Sequence, residues 1–310
     1  MRRPVGLEKD RGTKTPLTFE FASVTDWWKP RKILMTVLEV LQSTTAYFKK
    51  HAIESPRLNA EHLVAHSLGK KRIELYLEFE RSLSEAELAP LRDLVRRRAQ
   101  GEPLQHLLGT VEFGDHVFLS DKRALVPRSE TEQLVEYLCD LTWPAKPRML
   151  DVGTGSGVIV LSLATRFPEA ELLAIDVSLE ALDLARENAA RLGASERIFF
   201  IQSHLLNQVE GTFDLIVANL PYVGRSEELS AEVRHDPAVA LFGGNEGDEL
   251  IRELIITAPN HLHPGAVLAL EIGHGQSVEL SNFLSEKNYH DIESKKDYSG
   301  TLRFLFARYG

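Results

Sequence analysis

The stretch Met149–Ala164, MLDVGTGSGVIVLSLA, decides the reading of this chain. An apolar run ends on Asp151 and Val152, three glycines alternate with small polar residues, and a second apolar run follows at once. The first run fits a buried strand and the second a buried helix. Gly153, Gly155 and Gly157 let the turn between them approach a ligand closely, and the start of the helix offers free backbone N–H groups. The pattern is D-x-G-x-G-x-G rather than the dinucleotide fingerprint G-x-G-x-x-G. A tight strand-to-helix turn without any ligand would also account for it.

The next strand narrows the choice. ELLAIDVS ends on Asp176, 23 residues after Gly153, where an acid can accept hydrogen bonds from both hydroxyls of a ribose. The turn and the acid together favour a nucleoside cofactor, and no P-loop argues for a triphosphate. Farther along, FDLIVANLPYV (Phe213–Val223) delivers Asn219, Leu220, Pro221 and Tyr222 at the end of another apolar run. Asn219 offers a side-chain carbonyl, and Pro221 removes an N–H and holds Leu220 extended. A planar NH2 group can give one hydrogen to Asn219 and the other to the Leu220 carbonyl, with the Tyr222 ring on its plane. Without Asp176 and the glycines, a strand end with a proline turn would be the better reading.

Strands are expected near 148–152, 171–175, 198–202, 213–218 and 265–272, with a final pair near 291–296 and 301–307. Helical segments such as LEALDLARENAARLG separate the earlier ones. This alternation predicts a mostly parallel sheet covered on both faces, with ligands bound beyond the carboxyl ends of its strands. Before it, residues 35–98 carry apolar positions at helical spacing, broken at ESPR and SLGKKR, which predicts a small helical domain. The segment from Gly101 to Ser129 reads as a connecting hairpin, and Ser129 with Glu132 as a capping box that opens the next helix. HLHPG (His261–Gly265) reads as a loop.

Composition sets the outer limits. At 310 residues the chain suits one large and one small domain, with 43% hydrophobic and 26% charged residues and no apolar run that could span a bilayer. A net charge of −9 gives no general attraction to nucleic acid or anionic membrane. Residues 1–34 hold eight basic and four acidic side chains, leaving 28 basic and 41 acidic in the rest. They are expected to form a flexible extension, with Trp27 and Trp28 docking on the surface or translation starting at Met35. The single Cys139 falls on the apolar side of a helix as a core thiol. His204, His235, His261, His263 and His274 show no paired metal-binding spacing, so no metal is expected.

With these residues assembled, the chain resembles the class I S-adenosylmethionine-dependent methyltransferases, and more closely the release factor glutamine N5-methyltransferase family (HemK/PrmC). The similarity runs from about Met35 to Gly310. It rests on ESPRLNAEHLVAHSLG, on RRRAQGEPLQHLLGTVEFGDHVFLSDKRALVPRSETEQLVE, on DVGTGSGVIVLSLA, on AIDVSLEALDLARENAARLG, on FDLIVANLPYV, on DPAVALFGGNEGDELIRELI and on LALEIGHGQ. The glycine motif identifies only a superfamily; the junction and PAVALFGG after Asn-x-Pro-Tyr are more specific.

The resemblance implies an α/β Rossmann-like fold with a seven-stranded, mostly parallel sheet and a small N-terminal helical domain. Its divisions are an extension over 1–34, a helical substrate-recognition domain over 35–105, a linking hairpin over 106–130 and the methyltransferase domain over 131–310. S-adenosylmethionine would lie on Gly153, Thr154, Gly155, Ser156 and Gly157, with its ribose on Asp176, its adenine near His204 and its methyl end near Asn219. Asn219, Leu220, Pro221 and Tyr222 would grip the glutamine of the Gly-Gly-Gln loop of a class I release factor. The enzyme would be a cytoplasmic monomer without membrane contact or stable nucleic-acid binding.

The family usually reads Asn-Pro-Pro-Tyr, so Leu220 departs from it, as do Ser129, His106 and His204. In the implied reaction the glutamine nitrogen attacks the sulfonium methyl, S-adenosylhomocysteine leaves and the nitrogen loses its proton during or after attack, while acceptors placed for a pyramidal nitrogen stabilise the transition state more than the ground state. The alternatives are a ribosomal-protein glutamine methyltransferase, an adenine N6-methyltransferase and a cofactor-binding adaptor without catalysis.

Overall fold

Apolar runs buried on both faces build the centre of the sheet. The computed structural model describes residues 35–310, so the expectations for residues 1–34 lie outside the described residues. The elements begin with β1 (Met35–Thr36), α1 (Val37–Lys50), α2 (Pro56–Ser67), α3 (Arg72–Leu77), β2 (Ser82–Leu83), α4 (Glu85–Ala99) and α5 (Leu104–Leu108). Thr36 caps α1 by accepting from the Glu39 N–H, while the Glu39 carboxylate accepts from the Thr36 N–H, a reciprocal capping box. Pro56 opens α2 where its missing N–H is not needed. Val37, Leu41, Phe48, Leu63, Leu75 and Leu91 meet in the core of this helical part.

There follow the hairpin β3 (Thr110–Phe113) and β4 (His116–Leu119), then α6 (Ser129–Cys139), β5 (Arg148–Val152), α7 (Val158–Arg166), β6 (Glu171–Asp176), α8 (Leu179–Arg191), β7 (Ile198–Gln202) and β8 (Phe213–Asn219). The chain closes with β9 (Val223–Gly224), β10 (Phe242–Gly244), α9 (Glu249–Thr257), β11 (Leu262–Glu271), α10 (Ser277–Glu286), β12 (Tyr289–Lys296) and β13 (Leu302–Tyr309). Seven strands form one sheet in the order β12-β13-β11-β8-β5-β6-β7, and only β13 runs against the others. Met149, Leu215, Val217, Val267 and Ala269 point to the face covered by α6 and α7. Leu150, Val152, Ile216, Leu268 and Leu270 point to the face covered by α9 and α10. The period of two puts every second residue on one face.

Three local expectations are corrected. Ser129 is the first residue of α6 and not its cap: Arg128 holds the cap position without a side-chain cap bond, and the Ser129 hydroxyl donates to Glu130 at 3.2 Å. The register is set instead by long-range contacts, since Arg128 pairs with Asp236 and Thr131 turns inward to Glu271. HLHPG is not a free loop, because His263, Pro264 and Gly265 lie in β11, in a register shift between Leu262 and Val267. Leu104–Leu108 is a short helix where hairpin was expected, and buried Leu107 anchors it to the helical core.

The helical part is tied to the sheet domain by charge. Buried Arg98 donates to Asn59 at 2.7 Å and to the Glu102 carbonyl at 3.0 Å, and reaches Glu232 at 2.7 Å. Buried Asp236 accepts from the Val126 N–H at 3.2 Å and from Arg128 at 3.1 Å. Among the described residues no helix is long and apolar enough to cross a membrane.

Candidate active site

Strand order reverses between β5 and β8, because the chain moves outward through β6 and β7 and returns on the other side of β5. Ligands of open α/β sheets bind beyond the carboxyl ends at such a point. A cavity of about 710 Å³ opens there, within the usual size of ligand pockets. Its wall takes in Gly153, Thr154, Gly155, Ser156, Asp176, His204, Asn219, Leu220 and Pro221. Most of the residues singled out in the sequence therefore converge on one space. Gly157 lies beneath it as the cap of α7, with φ 85° and no room for a Cβ against Ala185 and Leu161, each about 3.1 Å away.

The glycine turn is held by its own strand neighbours. The N–H groups of Gly153 and Thr154 both donate to the Ile175 carbonyl at 2.9 Å, and the Gly155 N–H donates to Asp176 Oδ2 at 2.9 Å. A Cβ on Gly155 would find only Ala124 at 3.9 Å, so the glycine leaves open space beside the turn. Asp176 also accepts from the Ser178 N–H through Oδ1 at 2.9 Å. Burial raises its pKa, opposed by those backbone N–H groups. His204 is half-exposed, 3.7 Å from Glu253.

Below the turn, Asp151 is fully enclosed. Its Oδ2 accepts from the Thr154 hydroxyl at 2.7 Å and the Val160 N–H at 3.2 Å, whereas Oδ1 has no partner. Burial without a counter-cation pushes its carboxyl up to about 7.

The opposite wall is the segment after β8. The Leu220 side chain is buried in the apolar core, and a Cβ on Gly153 would come within 3.0 Å of its Cδ2. Its leucine side chain thus packs beside the glycine turn. The Tyr222 ring is not part of the cavity wall; it packs against the core on the α9–α10 side, 5.9 Å from the Arg303 guanidinium. The segment is braced by β9 and β10, which pair in parallel, with Val223 N–H on the Leu241 carbonyl at 3.1 Å. A Cβ on Gly243 would fall 2.2 Å from the Pro221 carbonyl and 2.1 Å from that of Gly247, so only glycine fits.

Two residues absent from the sequence reading complete the site. The Asn219 amide nitrogen donates to the Thr131 hydroxyl at 3.0 Å, and that hydroxyl donates to Glu271 Oε2 at 2.8 Å. Glu271 is the register partner of Asn219 across β8 and β11, and both it and Thr131 are buried. Burial pushes the Glu271 carboxyl up to about 7. An acid closing the apolar run LALE, one strand from Asn219, was the available signal. Cys139 is half-buried against the core of the α6–α7 face, and burial raises its pKa, in keeping with a packing role. Among the described residues, no three His, Cys, Asp or Glu side chains gather as a metal site.

Comparison with known proteins agrees with this architecture. Residues 39–109 match the PrmC N-terminal domain and residues 129–236 the methyltransferase small domain. The release factor glutamine methyltransferase of Chlorobaculum tepidum is 39% identical over 290 residues, covering 89% of this chain and 98% of that protein. Its namesake from Deinococcus radiodurans is 40% identical over 277 residues, 88% of this chain and 99% of the other. The hMettl16 catalytic domain, solved in complex with the MAT2A 3′UTR hairpin 6, aligns with a TM-score of 0.50 at 13% identity, over 71% of this chain and 82% of that one, which speaks for the fold alone. Near-complete mutual coverage at such identity, across both the helical part and the sheet domain, makes this chain a member of the release factor glutamine methyltransferase family.

Proposed function

We propose that this protein methylates the side-chain nitrogen N5 of the glutamine in the Gly-Gly-Gln motif of a class I release factor, using S-adenosylmethionine in the cytoplasm. The observation that carries the reading is the meeting of the glycine turn, Asp176 and Asn219 in one cavity at the strand-order reversal. The space left at Gly155 and the Asp176 carboxylate in the cavity wall fit a nucleoside-linked amino acid, with residues 153–157 under its methionine part and Asp176 at its ribose. When bound, the cofactor supplies an electrophilic methyl group on a sulfonium sulfur.

The protein's own task is to make a poor nucleophile react. An amide nitrogen is weak because its lone pair is delocalised into the carbonyl. Asn219 Oδ1 and the Leu220 carbonyl accept the two N–H hydrogens and favour the pyramidal nitrogen of the transition state over the planar ground state. Leu220 can serve in place of proline because the contact is through its backbone, with less rigidity. Fixing nitrogen against methyl adds the gain of positioning, which reaches roughly 7–11 kcal/mol in oriented reactions. The helical part, joined to the 225–241 segment through Arg98 and Glu232, holds the rest of the release factor.

The test is mass spectrometry of a purified class I release factor after incubation with the protein and S-adenosylmethionine, beside a factor whose Gly-Gly-Gln glutamine is replaced. One added methyl group on that glutamine, absent from the replaced factor, is expected. Cofactor binding with no methyl on the factor would overturn the reading.

A further inference from the structure

We propose that Thr131 and Glu271 are positioning residues that hold the Asn219 side-chain amide in the single orientation that turns its oxygen to the substrate. The proposal rests on the methyltransferase reading above, in which that oxygen is an acceptor for the substrate N–H.

The polarity follows from counting hydrogens. An ionised carboxylate only accepts, and a threonine hydroxyl has one hydrogen to give. Thr131 spends it on Glu271 Oε2 at 2.8 Å, so towards Asn219 it offers lone pairs alone. The Asn219 group 3.0 Å away must then be its NH2. The same amide lowers the Glu271 pKa, as an N–H facing a carboxylate does. With the nitrogen drawn to Thr131, Oδ1 points away from that hydroxyl, and Asn219 is a residue of the cavity wall. A reversed amide would set its own N–H groups against those of the substrate.

The chain is reversible, and Glu271 is its switch. A protonated Glu271 can donate to Thr131, whose hydrogen is then free for Asn219 Oδ1, and the amide turns over. The groups facing Glu271 are Thr131 and Glu130 of α6, Asn219 and Tyr222 at the end of β8, and Arg303 of β13. Arg303 favours the ionised form, while burial and Glu130 oppose it, which leaves the carboxyl titrating at about 7. Activity is therefore expected to fall as the pH drops through that value.

The experiment uses the full chain with release factor and S-adenosylmethionine. Thr131→Val should lower kcat by about 10- to 100-fold, the scale of a small misplacement at a reacting centre. Cofactor affinity by calorimetry should barely change, the melting temperature should fall because Glu271 and Asn219 lose a buried partner, and Thr131→Ser should restore most of the rate. Glu271→Gln, which cannot ionise, should remove the acidic limb of the pH–kcat profile. The side-chain NH2 resonances of Asn219 in the protein alone should shift with an apparent pKa near 7, and stay constant in Glu271→Gln. Unchanged kcat in Thr131→Val, an acidic limb that survives in Glu271→Gln, or Asn219 resonances insensitive to pH would each overturn the proposal. A wild type that methylates no factor defeats the functional reading instead, and the resonances still report on the orientation.

Discussion

The glycine turn at 153–157 and the Asn219–Tyr222 segment stand side by side at the ends of β5 and β8, but they are held from opposite distances. The turn is fixed by Asp151, three residues before Thr154, and by Asp176, 21 residues beyond Gly155. The segment depends on Thr131, 88 residues before Asn219, on Glu271, 140 residues beyond Thr131, and on the 242–247 loop. A wall made locally is formed as soon as its βαβ unit is. A wall made from afar needs the finished sheet, and its geometry can be damaged from several places that never touch a ligand.

The largest effect should come from the tip of the distant wall. Replacing Asn219 by Ala removes the proposed acceptor and leaves the glycine turn intact, so kcat should drop on the order of 10²- to 10³-fold, as when one stabilising hydrogen-bonding group is deleted elsewhere. Calorimetric titration with S-adenosylmethionine should give nearly the wild-type affinity. Equal losses of turnover and affinity would erase the distinction between the two walls.

A smaller but sharper effect is expected from Gly243, which lines neither wall's chemistry. Its added Cβ would collide with the Pro221 and Gly247 carbonyls, both backbone atoms that cannot swing aside. Gly243→Ala should move the Leu220 carbonyl and cost about 1–3 kcal/mol of stability, typical of overpacking. Thermal melts and kinetics together check this: kcat should fall by about tenfold or more, since misplacement of that order is felt at a reacting centre, with cofactor affinity again preserved. A stable variant with full activity would show that the 242–247 loop does not brace the segment.

The same difference in distance explains what could be read from the sequence. Five parallel strands were legible from runs such as RMLDV and FDLIVA, because burial on both faces writes a continuous apolar string. Glycine spacing and Asp176 were legible because strand, turn and acid fall within one βαβ unit. Asn219 was legible only as an oddity at a strand end. Thr131 sat inside a convincing local motif, SETE, which suggested a capping box, yet the tertiary pull of Glu271 and Asp236 set the helix start differently. Glu271 gave the weakest signal, a lone acid after an apolar run, and its meaning appears only when β11 pairs with β8 in the register Glu271 to Asn219. Tyr222, expected on the ligand's plane, is turned to the core, a choice that depends on α9 and α10 and is not written in its neighbours.

The last effect, on stability rather than turnover, separates the two walls by pH. Asp151 and Glu271 are both buried carboxyls pushed up to about 7, but Asp151 lies under the local wall with Oδ1 unpartnered. A carboxyl whose folded pKa exceeds its unfolded one stabilises the fold fully in acid and loses that contribution as the pH rises through the folded value. Asp151→Asn cannot titrate, so its stability relative to wild type should improve between about pH 4 and pH 7 and level off above, with a slope of up to about 1.4 kcal/mol per pH unit. Comparing urea midpoints of the two proteins at pH 4.5, 6 and 8 reads this group and its coupling to Asp176, because titrations uncoupled from Asp151 cancel in the difference. Turnover by the variant should keep the acidic limb assigned to Glu271, since the distant wall is untouched. A stability gap that stays flat with pH would mean that Asp151 keeps its charge under the turn, with its second oxygen satisfied by solvent; the local wall would then be as dependent on groups beyond its own unit as the distant one.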